Sequence, residues 1–196
     1  THAEWVNGEV IVFPLPYDEH QEVVGFLHRL IAIFADLYDL GQVQILPFEL
    51  RIVPGGSSRQ PDLMFMRCEH LDRWTRERII GPVDLIIEIV SETSVTRDYH
   101  EKFAEYQAGG IPEYWIIDPR PGYQAAAFYQ LDAQGQYQPI ALDAQGRYHS
   151  AMLPGFWLHV DWLWQVPPPQ PLLALAEIRG LTPEQVQGLL HLLKGT

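Results

Sequence analysis

Val83-Asp84-Leu85-Ile86-Ile87-Glu88-Ile89-Val90 is the stretch on which the fold turns. Apolar, largely β-branched residues fill it, the pattern of a strand covered on both faces. One carboxylate, Glu88, stands near its C-terminal end. An ionised glutamate in such surroundings is costly without a partner, and the run itself supplies none.

Working outward, the next element downstream is a helix over Arg97–Ala108, stopped by Gly109-Gly110 and carrying Lys102 in its first turns. Ile111-Pro-Glu-Tyr-Trp-Ile-Ile-Asp118 is a second buried strand, ended by Pro119. A buried strand, a helix and another buried strand describe an α/β architecture. Upstream, Asp62–Met66 begins another apolar strand after the turn Pro54-Gly-Gly-Ser-Ser. Before it, Gln42–Val53 reads as a strand interrupted at Pro47. Asp18 or Glu19 opens a helix reaching about Tyr38, with Val23, Val24, Leu27, Leu30, Ile31, Phe34 and Leu37 at helical spacing. Gly8–Phe13 is a short strand. Arg67–Ile80 is irregular and basic.

From Gly122 to Ser150, two Tyr-rich segments surround the repeated turn Asp-Ala-Gln-Gly at 132–135 and 143–146, which suggests an added β-meander. Val166-Pro-Pro-Pro-Gln-Pro171 is a stiff connector. Residues 1–165 are therefore expected to form the main domain, with 166–196 a connector and C-terminal helical extension. Thr182-Pro183-Glu184-Gln185 has the N-cap, first-turn proline and capping-box glutamine of a helix start. Its stripe of Val186, Leu189, Leu190 and Leu193 docks on its own domain or on a second subunit, so a homodimer is one of two expectations.

Asp62 starts one strand, Glu88 lies near the end of another, and Lys102 sits on the helix returning from it. Two carboxylates joined by an ammonium suit Mg²⁺ or Mn²⁺, hard ions that take few protein ligands and keep several waters. The backbone carbonyl of Ile89 offers a further ligand. Such a site polarises a phosphate and stabilises charge on its leaving oxygen, which is the chemistry of phosphodiester hydrolysis. Lysine adds a mobile point charge for phosphate or water. Two of the three also have a plainer reading. Asp62 alone is a turn aspartate after proline, and Lys102 alone is a solvated helix lysine paired with Asp98 one turn earlier.

The chain has 196 residues, 47% of them hydrophobic and 19% charged, a globular composition with room for a sizeable core. The single Cys68 excludes an internal disulfide and points to a reducing, cytoplasmic setting. No apolar run approaches a membrane span, and the start shows no signal-peptide pattern. A formal charge of −12 opposes binding to nucleic acid, whose partners are usually basic. Arg67, Arg73, Arg76 and Arg78 cluster locally against that trend.

Pro61-Asp62, Asp84-Leu-Ile-Ile-Glu88-Ile-Val-Ser91, Asp98-x-x-x-Lys102-x-x-x-Tyr106 and Gly110-Ile-Pro-Glu113-Tyr-Trp-Ile-Ile-Asp118-Pro119 together resemble the Uma2 family of the PD-(D/E)xK nuclease superfamily. The likeness runs in order from about Gly8 to Trp164 and includes Leu153-Pro-Gly-Phe-Trp157. It implies a restriction-endonuclease-like α/β core of mixed sheet with flanking helices, Asp62 and Glu88 as metal ligands, and DNA as substrate. Two positions depart from the pattern. Val90 stands where the superfamily places its lysine, which the resemblance relocates to Lys102, and Glu92 stands where proline is common. His20 falls where family members often carry histidine. Its inward spacing suits a proton carrier behind the ligands, or a core or capping histidine. Glu49, opposite in phase to Phe48 and Leu50, is a weaker additional ligand, and Tyr106 either hydrogen-bonds phosphate or packs. Glu113 reads as structural and Asp118 as a turn residue. Cys68-Glu-His70 lacks the third partner of a thiol nucleophile, Pro54-Gly-Gly-Ser-Ser lacks a phosphate loop's lysine, and His149 and His159-x-Asp161 lack zinc spacing.

Overall fold

The structure is a computed structural model that describes residues 2–6, 8–13 and 18–195. The strands β1 (His2–Val6) and β2 (Glu9–Phe13) form a hairpin ahead of the long helix α1 (Asp18–Leu37). Then come β3 (Gly41–Ile45), β4 (Glu49–Arg51), β5 (Leu63–Arg67), β6 (Arg78–Ile80) and β7 (Leu85–Ile89). A π-helical turn over Arg97–Glu101 leads into α2 (Lys102–Ala108), followed by β8 (Glu113–Asp118), β9 (Ala125–Leu131) and β10 (Tyr137–Pro139). The chain closes with β11 (Arg147–His149), β12 (Trp157–His159), α3 (Pro171–Ile178) and α4 (Pro183–Lys194).

Six strands form the central sheet in the order β10-β9-β8-β7-β5-β3. Within this sheet β7 and β8 pair in parallel and the other neighbours pair antiparallel, because the helical crossover between β7 and β8 returns the chain to the same end of the sheet. The sheet is therefore mixed, as expected. Period-two alternation splits its side chains between two cores. Leu63, Phe65, Leu85, Ile87, Ile89, Trp115 and Ile117 pack under Phe26, Leu27, Leu30, Ile31 and Phe34 of α1. Met64, Met66, Ile86, Tyr114 and Ile116 pack on the other face with Tyr106 of α2. Burying a Leu, Ile or Phe in such a core contributes about 1.5–3 kcal/mol. Glu88 falls in phase with Ile86, so its side chain enters the α2 face.

Three local readings change. The stretch 42–53 is two strands in different sheets: β3 joins the central sheet, whereas β4 pairs in parallel with β6. Pro47, which has no N–H to donate, marks the break. The two Asp-Ala-Gln-Gly turns are alike, each with an aspartate Oδ1 accepting from backbone N–H groups two and four residues on. The first turn extends the central sheet from β9 to β10, while the second sends β11 away to pair with β12. The proline-rich connector is shorter than its composition suggests, because Pro171 starts α3. That helix sends Ala174, Leu175 and Ile178 into the α1 core.

Thr182 and Gln185 form the expected capping box of α4. Val186, Leu189 and Leu190 are half-buried and Leu193 stays exposed. No helix among the described residues is long and apolar enough to cross a membrane.

Candidate active site

Antiparallel pairing of β5 with β7 sets Leu63 against Ile87 and Met64 against Ile86. Carrying that register one step further sets Asp62 opposite Glu88, two carboxylates on one face at the end of a strand pair. The Ile89 amide donates to Asp62 Oδ2 at 2.8 Å, which ties the two strands across this position. On the other side, His20 Nε2 from the first turn of α1 lies 3.3 Å from Asp62 Oδ1. Burial opposes the charge on Asp62, but His20, Lys102 and the Ile89 amide outweigh it and hold the carboxyl below its ordinary value.

Glu88 is reached from α2. Lys102 Nζ lies 2.8 Å from Glu88 Oε2, and the Tyr106 hydroxyl one turn later donates to Glu88 Oε1 at 2.8 Å. The same ammonium lies 3.1 Å from Asp98 Oδ1. The i,i+4 pair anticipated on this helix therefore exists, but Lys102 is only 4% exposed, which removes the solvated-lysine reading. Spacing of four residues puts Asp98, Lys102 and Tyr106 on one helix face, and the crossover turns that face to Glu88.

Two further residues complete the cluster. Glu4 of β1 sits 3.9 Å from Lys102 through Oε1, and its Oε2 pairs with Arg59 at 3.1 Å. Arg59 is itself buried, and its Nε donates to Glu105 at 2.9 Å. Neither Glu4 nor Arg59 is singled out by sequence reasoning. A glutamate near the N-terminus has no local partner to betray its burial, and the alternation of the short β1 strand is its single signal.

The electrostatics are lopsided. Asp98, Glu88, Glu4 and Asp62 surround the single ammonium of Lys102, and Arg59 is shared between Glu4 and Glu105 outside that group. Burial pushes the Glu88 carboxyl up to about 8; Lys102 pulls it down, and the like charges of Asp98 and Asp62 reinforce the rise. Burial would lower Lys102, yet Asp98, Glu88, Glu4 and Asp62 raise it, so it stays an ammonium. Tyr106 is raised by burial and by Glu88, and remains a neutral O–H donor. This surplus of buried negative charge, with two carboxylates paired across one strand end, fits a divalent cation. Among the described residues no three of His, Cys, Asp and Glu form a preassembled cage; two carboxylates with waters are the Mg²⁺ manner of binding.

A cavity of about 260 Å³, lined by His20, Val90, Ser91 and Arg120 among others, opens at the C-terminal ends of β7 and β8. His20 lines it and also touches Asp62, so only His20 stands between this cavity's lining and the acidic pair's contacts, and neither Asp62 nor Glu88 lines it.

Of the remaining candidates, Ile89 touches the cluster, and Glu49, Glu113 and Asp118 make their contacts elsewhere. Glu49 is held by Arg51 and, at 3.5 Å, by Arg78 on the small β4–β6 sheet. At Ile89 the contact made with Asp62 is through the amide. Glu113 is fully buried and accepts from Trp115, Ser150, Ala151 and Met152, a structural anchor as read from the sequence. Asp118 caps the strand end and binds Arg120. The basic segment is less free than its sequence suggests. Arg67 pairs with Glu69, Arg73 donates to the Pro82 carbonyl, and Arg78 pairs with Glu49 and Glu77.

The sheet is mixed, helices pack on both of its faces, and an aspartate–glutamate pair stands at the end of one strand pair. The Uma2 family model, described as "Putative restriction endonuclease", matches residues 1–161, and the chain belongs to this family. Among solved structures it is similar to a "putative nuclease belonging to DUF820" from Anabaena variabilis. The TM-score is 0.66 at 18% identity, covering 83% of this chain and 89% of that one, a likeness of fold. No curated protein matches the chain.

Proposed function

We propose that this protein is a divalent-metal-dependent endonuclease that hydrolyses phosphodiester bonds in DNA. The observation that carries this reading is the convergence of Asp62, Glu88 and Lys102 from three separate elements into one buried, negatively overcharged cluster. Asp62, Glu88 and the Ile89 carbonyl would hold Mg²⁺ or Mn²⁺. When bound, the ion supplies Lewis-acid polarisation of the phosphate and positive charge for the leaving oxygen. The protein's own groups have distinct tasks. The Ile89 amide and His20 fix the orientation of Asp62 and keep it ionised. Tyr106 orients Glu88 through its O–H. Lys102 stays protonated and presents a positive charge to phosphate or attacking water beside Glu88.

A second reading, a catalytically inactive nuclease-fold protein that binds or assembles, is favoured by two observations. Lys102 already bridges Glu88 and Asp98, and the chain's charge of −12 repels nucleic acid. One assay separates the two. Supercoiled plasmid is incubated with the protein and Mg²⁺ or Mn²⁺ at low salt, beside Glu88→Ala. Nicking by wild type that vanishes in the variant supports the nuclease; an intact plasmid with both proteins across metals and salt concentrations sinks it.

A further inference from the structure

The N-terminal hairpin has two unlike faces. Trp5 and Val10 are paired across it, and with Val12 they lie exposed on the outside. Glu4 projects to the other side and is 2% exposed. A carboxylate buried this deeply needs compensating partners, and each of its oxygens finds them in a different place. Oε2 pairs with Arg59 at 3.1 Å. Oε1 accepts from the Gln60 amide at 3.0 Å and faces Lys102 Nζ at 3.9 Å.

Trp5 sets the register of this contact. Its N–H donates to the Ser58 carbonyl at 3.1 Å, and its carbonyl accepts from Ser58 N–H at 2.7 Å. The hairpin is thus bound to Ser58, Arg59 and Gln60, the three residues that lead through Pro61 to Asp62. Lys102 in turn meets carboxylates from three independent elements: Glu88 of β7, Asp98 of the turn before α2, and Glu4 of the hairpin. A lysine stem has four rotatable bonds, so contacts from independent elements are what hold its amine in one place.

We propose that Glu4 is a positioning residue for Lys102: from the N-terminal hairpin it holds the ammonium beside Glu88 while fixing the segment that delivers Asp62. The proposal rests on the nuclease reading in assigning Lys102 a part in the reaction. The plainer role for Glu4 is to neutralise Arg59, and Glu105 serves as its control. Glu105 also pairs with Arg59 but has no ion pair with Lys102 among the described residues.

Lys102 and Lys194 are the only lysines of the chain, and Lys194 is exposed on α4. Amine acylation followed by peptide mass spectrometry therefore gives a two-site readout with an internal reference. With the full chain, Glu4→Gln is expected to raise the acylation of Lys102 relative to Lys194. It should also lower kcat on plasmid about 10–100-fold, the usual effect of losing a group that orients a reacting one, with KM for DNA unchanged. Glu4→Asp should recover part of both effects, and it is the variant to read if Glu4→Gln does not fold. Glu105→Gln should lower the melting temperature and leave the lysine ratio and kcat at wild-type values.

An unchanged lysine ratio in the Glu4 variants, or an equal rise in Glu105→Gln, overturns the proposal. If wild type cleaves nothing, the nuclease reading falls by itself, and the lysine ratio still decides whether Glu4 holds Lys102.

Discussion

Glu88→Gln should uncouple the stability of the metal-free protein from pH. The Glu88 carboxyl is held at about 8 by burial and by Asp98 and Asp62, against an ordinary 4.5. Because the folded value lies above the unfolded one, the native protein binds more protons throughout this window. Its contribution to stability is complete below about pH 4.5 and declines as pH rises towards 8. At about 1.4 kcal/mol per pH unit, the loss from pH 5 to pH 8 accumulates to about 3–4 kcal/mol. For a chain of 196 residues that corresponds to a fall in Tm on the order of 10 °C. Glutamine matches the shape and keeps an acceptor for Tyr106, while Lys102 retains Asp98 at 3.1 Å. The variant should therefore melt close to wild type at pH 5 and well above it at pH 8. Scanning calorimetry in EDTA at pH 5, 6.5 and 8 measures the difference between the two proteins, which cancels the shared effect of the chain's net charge. A difference in Tm that stays constant across the three pH values would show that Glu88 titrates as an ordinary glutamate, and the account of the buried cluster would be wrong.

Two other expectations follow from the same geometry. At pH 8, Mn²⁺ at about 100 times its Kd should stabilise wild type by about 2.7 kcal/mol, a rise of roughly 5–11 °C in Tm, and Asp62→Ala should lose that rise; an equal shift in both proteins would move the ion elsewhere. Glu113→Ala removes a buried acceptor that serves four donors. It should cost about 3 kcal/mol or more in urea denaturation while sparing the activity per folded molecule, and a variant as stable as wild type would contradict the anchor role.

Much of this architecture is legible one segment at a time. The α1 stripe, the apolar runs of β7 and β8, and the capping box of α4 are set by neighbours within a turn or two, so periodicity reports them directly. Legibility fails where pairing partners are distant. The stretch 42–53 carries no sign of which sheet will receive each half. The two Asp-Ala-Gln-Gly turns share their hydrogen bonds and yet lead to different sheets. The π-helical turn over Arg97–Glu101 leaves no mark in the side-chain pattern, and α3 hides behind the prolines that precede it.

The site divides in the same way. The sequence by itself determined that Glu88 lies in a buried strand and that Asp98, Lys102 and Tyr106 share a helix face, because burial and phase are properties of a local run. Only the tertiary structure decided that Asp62 stands opposite Glu88, that Lys102 is buried between Glu88 and Asp98, and that Glu4 reaches them from the N-terminus. Strand register and helix crossover set those distances, and both depend on which elements pack together. Charge shows the difference most plainly. The chain's count of −12 argues against a nucleic-acid partner, whereas the fold gathers part of that excess into one buried cluster around Lys102.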